Sequence, residues 1–140
     1  MTINNVKKTM ATFKEALSKL KESLELLEAN KNKSELNEIC TDAVVKRFEV
    51  CFEYCWKVMK TAADYQGAEA FGPRPAIQEA IKFGWIDDPE FWANALDARN
   101  GSVHDYFGIT MDQYISLVKQ FAKKADEFAG ALKEALKIEL

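Results

Sequence analysis

Apolar residues recur at alternating steps of four and three near the N-terminus: Val6, Met10, Phe13, Leu17, Leu20, Leu24 and Leu27. A seven-residue repeat held over three heptads fits only an α-helix with one narrow apolar seam facing a partner helix. The intervening positions carry Lys14, Glu15, Lys19, Lys21, Glu22, Glu25 and Glu28, as a solvated face should. The polar run Asn30 to Ser34 then breaks the pattern, so the chain turns back there.

The remaining elements also read as helices. A second helix begins near Asn32 or Ser34, either of which can cap it, and Asn32 with Glu35 has the spacing of a capping box. It runs to about Gln66, where Gly67 is placed to close it in a left-handed turn. Its apolar positions include Leu36, Ile39, Cys40, Val44, Phe48, Cys51, Phe52, Cys55, Val58 and Met59. Pro75 suits the first position of a short helix over 76–83, stopped at Gly84. Asp88, Pro89 and Glu90 give the next start signal, and that helix runs toward Arg99 until Gly101 weakens it. Thr110 and Gln113 form a capping box for a last helix striped by Tyr114, Leu117, Phe121, Ala125, Phe128 and Leu132. With three prolines, six glycines and no β-type alternation, the expectation is all-α. The architecture is an antiparallel up-and-down bundle of four long helices and one short one, a single domain over residues 1–140.

Composition narrows the function. A formal charge of −3 gives no general attraction to phosphate backbones, so a protein that coats nucleic acid is disfavoured, though a local phosphate site is not. No apolar h-region opens the chain, and no apolar run approaches the roughly 18 residues of a membrane span, so the expectation is cytoplasmic with no membrane partner. Cys40, Cys51 and Cys55 crowd one helix. A disulfide between two cysteines one turn apart would constrain little, and a metal would need more ligands than one distant histidine supplies. They read as reduced thiols packed as small hydrophobes.

The chemistry concentrates in one segment. Arg99, Asn100, the single histidine His104 and Tyr106 fall within eight positions. On an unbroken helix Arg99 and His104 would diverge by roughly 140°. A break at Gly101 lets them converge. Converged, an imidazole can move a proton at a ribose 2′-hydroxyl or leaving oxygen, and a guanidinium can bind non-bridging phosphate oxygens. Asn100 can orient either group. The scheme requires no metal or other cofactor. Spacing alone is also compatible with Arg99 and His104 merely bonding exposed carbonyls at a helix end.

Three ordered stretches carry a resemblance. The run from Asp42 to Lys57 (DAVVKRFEVCFEYCWK), the pieces from Pro73 to Asp88, and the segment from Asp97 to Tyr106 resemble the nucleotidyltransferase substrate-binding protein family of the HEPN superfamily. The likeness covers roughly Leu17 to the C-terminus. It implies a helical bundle that dimerises and a minimal nucleotidyltransferase as partner. HepT-like toxins of this superfamily carry Arg, four to six residues, His, one residue and Tyr, and cleave RNA without metal; Arg99, His104 and Tyr106 match. The resemblance therefore implies a toxin–antitoxin pair. In it a candidate metal-independent endoribonuclease is silenced when the partner adenylylates Tyr106. The same family is also read as a non-catalytic substrate-binding or nucleotide-binding subunit. RNA as substrate meets an acidic chain here; a homodimer placing two Arg99–His104 pairs in one cleft would compensate locally.

Other residues admit two readings. Lys46, Glu49, Glu53 and Lys57 form either a solvated face of the second helix or the rim of a site. Arg47, near the apolar face, is either a structural ion pair or a second phosphate-binding group beside Arg99. Trp56, Trp85 and Trp92 read as core or dimer-interface residues, and the heptad seam as internal packing.

Overall fold

The computed structural model describes residues 2–101 and 109–137. Five α-helices make up the described fold: α1 (Ile3–Ala29), α2 (Ser34–Tyr65), α3 (Pro73–Lys82), α4 (Pro89–Asn100) and α5 (Met111–Leu136). Three are long and two short, rather than four and one, because α4 stops after 12 residues at the Gly101 cap.

The heptad seam packs as its spacing requires. Val6, Met10, Phe13, Leu17, Leu20 and Leu27 are buried, and Leu24 packs partly buried against the same core. The four-residue connector makes α1 and α2 an antiparallel hairpin. Its register is fixed where Thr9 meets Thr61 through their hydroxyls at 2.9 Å and Arg47 reaches the Lys19 carbonyl at 2.8 Å. α5 lies antiparallel to α1, pairing Phe13 with Phe128 at 6.0 Å and Lys21 with Asp126. α2 contacts all four other helices, which makes it the axis of the bundle. Up and down alternate through α1, α2, α4 and α5, with α3 packed at the side against α2 and α4.

The caps follow their chemistry with two exceptions. Thr110 and Gln113 complete the expected capping box, and the Asp88 carboxylate accepts the Phe91 N–H at 3.2 Å. Gly67 closes α2 at φ +87°, a conformation that only glycine adopts without strain. At the start of α2, however, Lys33 occupies the cap and no side chain bonds the free amides, so the Asn32–Glu35 box does not form. α3 begins at Pro73, two residues before Pro75, with Gly72 at φ +96° in front of it. Both prolines fit, because first-turn N–H groups have no intrahelical acceptor to lose. Leu36 and Ile39, assigned to the apolar stripe of α2, stay exposed near its start.

One apolar cluster fills the bundle. Phe121 of α5 stands at its centre, edge-on to Phe48 at 5.2 Å and to Trp92 at 5.9 Å, and tilted against Phe52 at 5.6 Å. Trp85 and Trp92 are buried with it, and Trp56 is half-buried. No helix among the described residues is long and apolar enough to cross a membrane.

Cys51 and Cys55 are buried within this core and Cys40 is half-buried. Burial, with Asp126 nearby, pushes the Cys51 thiol up to about 12, and burial raises Cys55 well above its ordinary value. Since the thiolate is the reactive form, both are inert at neutral pH. A mild alkylating reagent is therefore expected to add one label per native chain, at Cys40, and three after unfolding. Intact-mass spectrometry reads the difference; rapid native labelling of all three would refute the packing of α2.

Candidate functional site

The face of α4 that buries Trp92 also delivers Arg99. Seven residues are close to two helical turns, so the two side chains leave the helix in nearly the same direction, Trp92 onto Phe121 of α5 and Arg99 onto Glu53 of α2. There the guanidinium meets a stripe at helical spacing: Lys46, Glu49, Val50, Glu53 and Tyr54. With Arg99 these residues line an open cleft of about 220 Å³. Val50 and Tyr54 give it an apolar wall, while two cations and two carboxylates balance its charge.

Glu53 anchors the arrangement. Its Oε2 accepts from Arg99 Nη2 at 3.2 Å and from the Trp56 indole N–H at 3.0 Å. Its Oε1 faces the Lys57 ammonium at 3.6 Å. Burial pushes the Glu53 carboxyl up, but the Trp56 hydrogen bond, the Arg99 charge and Lys57 outweigh it and hold the group below the usual carboxylate range. Glu53 is therefore ionised at neutral pH.

Arg99 is half-satisfied. Nε and Nη2 form the side-on fork that fits a carboxylate or phosphate. Glu53 fills only the Nη2 tine, and Nε is buried without a hydrogen-bond partner. Leaving a buried donor unpaired costs about 1–3 kcal/mol, so a group that supplied a second acceptor would be favoured here. The cleft can thus take an anion, provided the anion shares or displaces Glu53.

The other proposed residues fall as follows. Asn100 is exposed as the last residue of α4, and Gly101 caps the helix through its N–H to the Asp97 carbonyl at 2.9 Å. The expected break at Gly101 is present, but its φ of −67° is open to any residue, so glycine's freedom is not what makes it. His104 and Tyr106 lie outside the described residues. Arg47 is not in the Arg99 cleft. It is half-exposed rather than buried, and it turns to α1, donating to the Lys19 carbonyl and facing Glu22 at 3.9 Å. Of the α2 charge row, Lys46, Glu49 and Glu53 line the cleft beside Arg99, and Lys57 does not. Tyr54 and the bond from Trp56 were not foreseen. The one available signal was that a half-buried tryptophan N–H needs an acceptor, and Glu53 lies one turn before it. Among the described residues no group of three or more His, Cys, Asp or Glu could hold a metal.

The described architecture is similar to that of a tri-AMPylated Shewanella oneidensis HEPN toxin in complex with MNT antitoxin. The TM-score is 0.71 at 18% sequence identity, covering 96% of this chain and 99% of that one. No curated protein sequence matches the chain. Residues 8–134 match the family described as nucleotidyltransferase substrate binding protein like, and the chain belongs to that family.

Proposed function

We propose that this chain is the HEPN-type partner of a small nucleotidyltransferase and acts as a metal-independent endoribonuclease toxin. Arg99 stabilises charge on the scissile phosphate, His104 moves the proton, Asn100 orients them, and Tyr106 is the residue the partner modifies. The observation that carries this reading is Arg99. Its guanidinium is delivered to an open cleft with one donor unfilled, at the end of a helix that breaks just before the segment holding His104. The family match supports the partner, and the toxin of similar fold was itself found AMPylated and bound to an MNT antitoxin. A homodimer would bring two such clefts to one RNA.

The test is expression of the chain alone and with a neighbouring nucleotidyltransferase, beside His104→Ala. Wild type alone is expected to arrest growth and degrade RNA; the variant and the co-expressed pair are expected to be harmless. Equal, harmless behaviour of wild type and variant, with no cleavage by the purified protein, would refute catalysis. It would leave the non-catalytic binding subunit standing.

A further inference from the structure

Glu53 is the one group in the cleft held from several sides at once. Trp56 and Lys57, one turn further along α2, grip both of its oxygens, and Arg99 arrives from α4 onto the oxygen that Trp56 already holds. A carboxylate fixed in this way cannot swing to fill both tines of the guanidinium fork. It leaves Nε unpaired and Nη2 engaged. We propose that Glu53, locked by Trp56, is the positioning residue of Arg99, setting the direction of its fork while competing with anionic substrate for it. This deepens the nuclease reading and rests on it for the turnover arm alone.

Two opposed effects follow from one contact. Glu53 lowers ground-state affinity, because an incoming phosphodiester must share a guanidinium whose charge is already met. It raises turnover, because a fork held in one direction need not be ordered when the reaction occurs. The carboxylate is about one-third exposed, so solvent moderates both effects. Neutral Glu53→Gln keeps the shape and removes the charge. It should bind a short single-stranded DNA, which lacks the 2′-hydroxyl and is not cleaved, roughly three- to tenfold more tightly. With RNA it should show a lower KM and a kcat reduced about tenfold. Trp56→Phe, which keeps the ring and loses the N–H, should lower kcat in the same direction by a smaller factor. Glu53→Asp should recover part of it.

A readout independent of any ligand completes the test. The Arg99 Nε–H is buried without a hydrogen-bond partner; if the Glu53 contact holds it so, it should exchange with solvent at least tenfold faster in Glu53→Ala, followed by NMR on chains whose helicity and melting temperature match wild type. Unchanged exchange together with unchanged DNA affinity would overturn the proposal. So would DNA affinity and kcat falling together in Glu53→Gln. If wild type cleaves no RNA, the nuclease reading fails, and exchange with DNA affinity still decides for or against Glu53.

Discussion

Under the nuclease function proposed above, Arg99→Lys is expected to lower RNA cleavage by about 10²–10³-fold, the usual cost of losing one preorganised donor at a developing negative charge. The substitution keeps a positive charge, so it separates charge from geometry. Lysine offers a compact ammonium on a flexible stem, whereas arginine offers a rigid fork whose two tines span two oxygens. In the cleft one tine is already on Glu53 and the other is unfilled. A lysine ammonium at that place would satisfy Glu53 and have no second tine to offer an anion. The loss should therefore fall on kcat measured at saturating RNA, with Arg99→Ala close to Arg99→Lys. The fold should be spared, since the Arg99–Glu53 pair is about one-third exposed on both sides and such pairs contribute about 0–1 kcal/mol. A lysine variant with near-wild-type turnover would mean that charge alone suffices, and the fork argument would fall.

The helices were legible because their signals are local. A seven-residue seam, a capping box at Thr110 and an acidic cap before Pro89 each depend on residues within one or two turns. Errors arose where two local signals were equally good. Pro73 and Pro75 both suit a first turn, and Asn32 and Ser34 both suit a cap, yet Lys33 between them takes that place. Leu36 and Ile39 fit the apolar period of α2 but stay exposed, Ile39 lining an open cleft with Ser23 and Leu26 of α1, which periodicity cannot reveal. The cleft was harder to see for the same reason. Lys46, Glu49 and Glu53 are spaced like any charged helix face. Only the approach of α4 turns that face into a wall, and the face of α4 that carries Arg99 also seats Trp92 on Phe121. Arg47 illustrates the converse: six residues before Glu53 on the same helix, it turns to α1 and leaves the cleft. His104 and Tyr106 rest on sequence and resemblance.

The packing that aims α4 can itself be tested through Phe121. The ring is fully buried and touches three others, Phe48 and Phe52 on α2 and Trp92 on α4. Phe121→Ala should cost about 3–5 kcal/mol in chemical denaturation, the range for a large aromatic truncated in a packed core. Against a typical total of about 5–15 kcal/mol, that is a substantial share of the stability. Phe121→Leu, which refills most of the volume but loses the edge-on contacts, should cost less than the alanine change. Phe71, 76% exposed in the loop before α3, is the control, and its alanine variant should fall within about 0.5 kcal/mol of wild type. A consequence for the cleft distinguishes this hub from an ordinary core residue. Phe121 seats Trp92, and Trp92 lies two turns before Arg99 on one face of α4. In a Phe121→Leu chain that still folds, Arg99 should meet Glu53 less faithfully, and its Nε–H should exchange faster than in wild type. If stability falls while that exchange does not move, the aim of α4 must come from elsewhere, with its packing on α3 the next contact to break.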